Sequence, residues 1–459
     1  MEFVKRPNII LINCDDMGYG DPGCYGSAVN RTPAIDRLAA EGMLFTDFYM
    51  ASPVCSPSRG AMLTGCYPPR IGFGSFEGQW VLFPGHAVGL SPDELTIADI
   101  LRKEGYRTKI IGKWHCGDQP EFLPLNHGFD EYYGLPYSND MGRQAGRQNQ
   151  MPPLPLIKDD AVIQQQPDQR SLTERYTEQA LEFIERNRGG PFFLYFAHMH
   201  VHLPLYAAEC FVNESKNGDY GACMASVDWS VDCLMHKLEK ENLSENTIII
   251  FTSDNGGRGD NGGSNFPLRG CKTTTWEGGM RVPCIMRWPR GIPAGSVCPD
   301  IFASIDLLPT IAALCGVSDS NMPKSKIDGL DLSALCTGGA GNEAPKRETF
   351  FYYRQNALEA VRRRDWKLHI RKDGEAVRLL YNLREDISEQ HDVCELYPDI
   401  AEQLEKSAQN CRIELGDEAS GIKGAEVRPI GRVADARPLT EYDENHPYII
   451  AMYDKTEAG

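Results

Sequence analysis

Two pairs of oxygen-bearing side chains stand directly behind apolar runs of strand length: Asp15-Asp16 follows Asn8–Asn13, and Asp254-Asn255 follows Thr247–Thr252. One acidic pair is ordinarily a solvated surface or a cap. Two pairs at the ends of two core strands converge on one hard cation, and the oxygen-rich set suits Ca2+ or Mg2+ rather than Zn2+. Gly112-Lys113-Trp114-His115 follows a third run, Thr108–Ile111, with Lys113 and His115 on one side of the chain if the strand continues. Behind Phe192–Phe196 come alternate histidines, His198, His200 and His202, which are open to a zinc reading. Residues 55 to 65 read Cys-Ser-Pro-Ser-Arg-Gly-Ala-Met-Leu-Thr-Gly. Pro57 suits the first turn of a helix, which puts Cys55 and Ser56 where free N–H groups and the helix dipole favour negative charge. Arg59, one turn on and always charged, is placed to hold a nucleophile or an anion. Gly270–Pro283 adds Lys272 and a glutamate beside two glycines, the mark of a tight backbone turn.

These strings, in this order, resemble the signatures of the type I sulfatases over roughly residues 7 to 395, most like the arylsulfatase A and N-acetylgalactosamine-6-sulfatase branch. The resemblance implies that Cys55 is oxidised after translation to formylglycine (3-oxoalanine), whose hydrate is the nucleophile. A geminal diol keeps a second hydroxyl that expels sulfate as the aldehyde reforms, where a serine would be left as a stable ester. It implies Ca2+ held by Asp15, Asp16, Asp254, Asn255 and the residue derived from Cys55. Arg59, Lys113 and Lys272 would neutralise the sulfate, His115 would act as base on the hydrate, and His202 would sit beside the bridging oxygen with His200 in the pocket. Gly134-Leu-Pro-Tyr-Ser-Asn resembles a loop whose serine, here Ser138, touches the sulfate. Leu380–Glu389 resembles a structural turn of the family's small C-terminal domain. The missing leader, the absence of an evident disulfide pattern and the segment 421–459 depart from the lysosomal members.

The elements that must position these residues alternate. Strand-like runs at Asn8–Asn13, Thr108–Gly112, Phe192–Phe196, Thr247–Thr252 and Cys284–Trp288 are interleaved with helical patterns at Thr32–Glu41, Leu95–Gly105, Thr173–Asn187, Tyr220–Glu241 and Ile305–Leu314. That alternation predicts an α/β fold with a mainly parallel sheet covered on both faces, its site at the carboxyl ends of the strands. The family implies the alkaline phosphatase superfamily form of it, a large mixed sheet between helices followed by a small α+β domain with an antiparallel sheet. Residues 1–335 are expected to form the first and 336–459 the second. Short antiparallel strands at Glu348–Tyr353, Leu358–Val361, Trp366–Arg371 and Arg378–Asn382, a turn at 372–374 and a helix at Tyr397–Ile413 would build it. Gly142–Ser171, rich in Pro, Gln and Asp, reads as an irregular loop on the site's side, where specificity could be set. The tail 421–459 has no strong period and either wraps the body or serves contacts between copies in a homo-oligomer.

A chain of 459 residues with 41% hydrophobic and 24% charged residues is an ordinary soluble enzyme in composition. Its net charge of −17 argues against nucleic acid and places the burden of binding an anion on local cations. No run is long enough to span a membrane, and no leader precedes Asn8, so the chain as written is expected in the cytoplasm. The 15 cysteines lack zinc or redox spacing and read as reduced thiols. The expected partners are a sulfated carbohydrate and a sulfatase-maturing enzyme acting on Cys55. The expected substrate is a sulfated sugar at a chain end, of the glycosaminoglycan or mucin type. A phosphonate or phosphate ester, or a small aryl or steroid sulfate, is the alternative.

Overall fold

The structure, a computed structural model, describes residues 6–338, 344–445 and 450–459. Its centre is a ten-stranded mixed sheet in the order Ser296–Cys298, Met43–Phe45, Cys284–Arg287, Thr247–Ser253, Asn8–Cys14, Phe192–Ala197, Arg107–Lys113, Glu131–Leu135, Pro155–Lys158, Ala161–Gln165. The five strands from Thr247–Ser253 to Glu131–Leu135 run parallel. They are continuous apolar runs because both faces are covered, and successive residues alternate between two cores. Ile9, Leu11, Ile110, Tyr195 and Ile250 point into one; Ile10, Ile12, Ile111, Phe196 and Phe251 point into the other. The helices Cys55–Thr64, Ile97–Lys103 and Leu307–Cys315 close the first face, and Pro33–Ala40, Leu172–Arg186 and Gly218–Lys240 close the second.

All five core strands and all five helices read from the sequence are present within two residues of their expected ends. Two readings are corrected. Residues 142–171 are not an irregular loop throughout, because the hairpin Pro155–Lys158/Ala161–Gln165 extends the sheet at its edge. Pro155 heads its strand, a place where a missing N–H is tolerated. The strand ending at Lys113 does not continue, since His115 has φ +60° and turns away.

Thr349–Arg354, Ala357–Arg363, Trp366–Lys372 and Glu375–Asn382 form an antiparallel meander. Its Asp373-Gly374 turn has both residues at positive φ, the conformation that matches strand twist. The helix Pro398–Leu415 packs on it through Ala401, Leu404 and Ala408. The tail returns to the body: Gly431–Arg432 pairs with Val88–Gly89, and Tyr453 pairs with the backbone at Arg143 and Ala145. All 15 cysteines are free thiols. No helix among the described residues is long and apolar enough to cross a membrane.

Candidate active site

Four adjacent parallel strands deliver their next residues to one spot. Asp15 and Asp16 leave Asn8–Cys14, Asp254 and Asn255 leave Thr247–Ser253, Lys113 ends its strand, and His202 lies on the segment beyond Phe192–Ala197. The carboxyl ends of parallel strands are where such folds place ligands. Backbone bonds hold Asp15 in place, its N–H donating to His200 O at 2.8 Å and its carbonyl accepting from Val201 N at 2.6 Å. His200 thus acts on the site through its main chain, with its ring buried and outside the cavity lining.

The helix starts at Cys55, two residues before Pro57, with Val54 extended at its cap. Cys55 therefore sits at the first helical position, its Sγ 3.4 Å from Asp15 Oδ1. Burial, followed by the charges of Asp15 and Asp254, raises the thiol well above its usual pKa. An unmodified Cys55 is thus a protonated, poor nucleophile. Arg59 is fully buried and forks onto three partners: Asp254 Oδ2 at 2.8 Å, Lys113 O at 2.8 Å and Asp15 Oδ2 at 3.4 Å. Lys113 Nζ donates to Asp15 Oδ2 at 2.5 Å and Ser138 Oγ at 2.8 Å. Lys272 Nζ donates to Asp16 Oδ2 at 2.8 Å.

The oxygens of Asp15, Asp16 and Asp254 and the sulfur of Cys55 lie within 4.8 Å of one another. Asn255 Nδ2 donates to Asp16 Oδ1 at 2.7 Å, while its buried Oδ1 has no hydrogen-bond partner. Such an orphaned acceptor beside three carboxylates fits a hard divalent cation. Asp15 stays ionised: burial works to raise its pKa, but Lys113, followed by Arg59 and Lys272, holds it far below the carboxylate range. Asp254 moves up, through burial and the neighbouring Asp15 charge. Asp15, Asp16 and Asp254 face Arg59, Lys113 and Lys272, three negative charges against three positive. A bound dication leaves a surplus of two positive charges, which favours an anionic ester despite the acidic chain.

The histidines take separate paths, so they form no zinc site. His198 Nε2 meets Ser230 Oγ at 3.0 Å. His115 Nε2 bonds Leu82 O at 3.0 Å and its buried Nδ1 has no partner. Burial and then Lys113 push its pKa well below the usual value, leaving a neutral ring with a free lone pair. His202 Nδ1 is held by Asn139 Oδ1 at 3.2 Å and Leu203 O at 2.5 Å, which leaves Nε2 facing Asp16 Oδ2 at 3.9 Å. Burial and Lys272 lower its pKa.

Cys55, Ser138, His202 and Lys272 line one cavity of about 500 Å3, within the usual size for a small-molecule site. Arg59, Lys113 and His115 stand behind it, packed beneath the lining. The upper wall is Trp80, Phe83, Met141, Arg147, Arg258 and the last residues of the chain. None of these wall residues has a sequence signal, save that Met141 and Arg147 flank or enter the polar segment after Ser138. The tail is strapped down on the way: Tyr206 Oη donates to Asp454 Oδ1 at 2.6 Å, Arg258 Nη1 to Ala458 O at 2.7 Å and Gly459 N to Asp140 Oδ2 at 3.2 Å. A Cβ on Gly459 would lie 1.9 Å from the His202 ring.

Residues 7–317 match the sulfatase family model, and residues 271–414 match the model for the C-terminal part of N-sulphoglucosamine sulphohydrolase. The chain is 41% identical over 384 residues to N-acetylgalactosamine-6-sulfatase of Canis lupus familiaris, spanning 80% of this chain and 72% of that one. It is 39% identical over 396 residues to arylsulfatase A of Homo sapiens, spanning 81% and 76%. Among solved structures it resembles Ps i-CgsB in complex with k-i-k-neocarrahexaose, with a TM-score of 0.77 and 32% identity over 88% of this chain and 92% of that one. The mixed sheet and the antiparallel C-terminal meander agree with these matches: the chain belongs to the sulfatase family of the alkaline phosphatase superfamily and is a sulfuric ester hydrolase.

Proposed function

We propose that this sulfatase removes sulfate from sugars at chain ends, of the glycosaminoglycan or mucin-oligosaccharide type, using a formylglycine made from Cys55 and a Ca2+ ion. The observation that carries the reading is Cys55 at the first position of a buried helix, 3.4 Å from Asp15 and lining a cavity with Lys272. Oxidised and hydrated, this residue supplies a geminal diol as nucleophile. Asp15, Asp16, Asp254 and Asn255 would hold the metal, which lends Lewis-acid stabilisation to the sulfate oxygens.

The remaining work falls to the chain's own side chains. Arg59 braces Asp15 and Asp254, fixing the carboxylates that face the nucleophile. Lys113, with Ser138, and Lys272 bring donors toward the sulfate's non-bridging oxygens, where preorganised charge lowers the barrier. His115, neutral and with Nδ1 unengaged, takes the proton from the diol's second hydroxyl. His202 and Lys272 flank the bridging oxygen. His202 is neutral in the free enzyme and must gain a proton as the anionic ester binds before it can act as the acid, while Lys272, whose proton the Asp16 charge holds firmly, contributes a fixed positive charge.

Sugar as the substrate is supported by the relatives: one is named for N-acetylgalactosamine-6-sulfate and one is solved with neocarrahexaose bound. A closed end is supported by residues 458 and 459, which line the cavity beside His202. Incubation with sulfated mono-, di- and oligosaccharides tests the reading. Release of sulfate from terminal residues is the expected result; desulfation inside an intact polymer, or turnover of aryl or steroid sulfates alone, overturns it. A higher kcat/KM on phosphate than on sulfate aryl esters would reassign the chemistry.

A further inference from the structure

The Glu-Gly-Gly turn that follows Lys272 is gripped from outside by the C-terminal meander. Lys272 stands on a segment, 271–276, that belongs to no helix or strand, so only its contacts fix it. On the inner side, Lys272 N donates to Gly257 O at 3.0 Å and Thr273 N to Pro53 O at 2.9 Å, tying the segment to the neighbourhoods of Asn255 and Cys55. On the outer side, side chains from three meander strands reach it. Arg354 Nε donates to Thr273 O at 3.1 Å, and Lys367 Nζ donates to Thr275 O at 2.9 Å. Thr275 Oγ1 donates to Glu359 Oε2 at 2.6 Å and accepts from Lys372 Nζ at 2.8 Å.

The grip is rigid and ionic. Lys367 Nζ also meets Glu277 Oε1 at 2.8 Å and Glu389 Oε1 at 3.0 Å, and all three side chains are fully buried. Glu277 accepts further bonds from Tyr352 Oη at 2.8 Å and Tyr49 Oη at 2.5 Å. Well-packed apolar residues would join two layers at lower desolvation cost, so a buried charge network of this size is weak evidence for stability.

We propose that Thr275, held by Glu359, Lys367 and Lys372, is a positioning residue for Lys272, and that the meander thereby sets where Lys272 Nζ stands against Asp16 and the sulfate. The inference rests on the reading of Lys272 as a sulfate and leaving-group contact. Misplacement of a catalytic group by an ångström costs rate without removing the group.

A double-mutant cycle in the full-length, matured enzyme tests it. Thr275→Val keeps the branched shape and removes Oγ1; it is expected to lower kcat/KM on a sulfate ester about tenfold, with Thr275→Ser restoring most of it. In a Lys272→Ala background the same Thr275→Val change is expected to cost less than about twofold, because the group it positions is gone. Lys372→Met, at the half-buried rim of the cluster, carries the same cycle if Thr275→Val does not fold. Equal losses in both backgrounds, or no loss in either, overturn the inference while leaving Lys272 in its role. A Lys272→Ala enzyme with full turnover overturns the inference and the reading of Lys272 together.

Discussion

Lys113 and Asp15 are joined at 2.5 Å with both side chains wholly buried, and the same ammonium reaches Ser138 Oγ at 2.8 Å. One lysine thus ties together the ends of three strands: its own, the one that releases Asp15 and the one that leads to Ser138. Asp15 Oδ2 is occupied by this bond, while Oδ1 faces Cys55. The carboxylate is divided between holding the scaffold and serving the reaction.

Removing the lysine strands a buried negative charge, which typically costs about 3–5 kcal/mol. Lys113→Met is therefore expected to lower the Tm and abolish turnover. Because a dication would neutralise the same carboxylate, added Ca2+ should recover more Tm in the variant than in the parent protein. Thermal melts with and without Ca2+ check this, and equal Ca2+ shifts would speak against a metal at Asp15.

The Cys55 peptide from active enzyme is expected to be lighter than the thiol form, an oxygen replacing a sulfur and two hydrogens. Mass spectrometry of the digested protein reads it directly. Cys55→Ala should retain the fold and lose activity by at least about a thousandfold, as expected on removing a covalent nucleophile. An active enzyme carrying only the thiol would end the formylglycine mechanism.

Asp254→Ala is expected to lower both bound metal and kcat, since Asp254 belongs to the group that could hold a metal ion and anchors Arg59 at 2.8 Å. Elemental analysis alongside kinetics separates the two effects. A variant with full metal occupancy would confine Asp254 to holding Arg59.

His202→Ala should lose considerably more rate on a sugar sulfate than on an activated aryl sulfate. A sugar alkoxide needs a proton as it departs and a nitrophenolate does not. Equal losses on the two substrates would make His202 a binding group.

Asp228 accepts the N–H groups of Ala34 and Ile35, both at 2.9 Å, yet burial raises its pKa to about 7. A carboxyl raised above its unfolded value near 3.8 favours folding fully below that value, and this contribution drains away as pH rises toward 7. Asp228→Asn keeps an acceptor for the helix start without the charge. It is expected to raise the Tm at pH 8 by several degrees and to change it far less at pH 4. A gain that is the same at both pH values would rule out ionisation as the cause.

The gathering of carboxylates and cations is legible in the sequence because its cause is local: Asp15-Asp16 and Asp254-Asn255 each stand directly behind an apolar run that has nowhere to go but the sheet centre. The pocket wall is not. Trp80, Arg258 and the strap Tyr453–Gly459 are brought in by tertiary packing, and nothing in their neighbours' types announces it. The strand Glu131–Leu135 escaped notice because Gly134 and two tyrosines blur its pattern, although Gly134 is required there: a Cβ would lie 1.9 Å from Gly112 O. Glu277 read as part of a tight turn, and its place at the centre of a buried charge network depends on Lys367 and Tyr352, far along the chain.

Cys55 is 1% exposed and lies under a lattice that includes the Arg59–Asp254 contact, made between residues 195 apart. An enzyme that oxidises this cysteine needs the peptide in its own active site, which the closed sheet denies it. On the proposed mechanism, oxidation would have to precede the docking of Thr247–Ser253 beside Asn8–Cys14. At about 5–20 residues per second, a ribosome takes on the order of twelve to fifty seconds to extend the chain from one to the other. Maturation, on that mechanism, would be a race against folding.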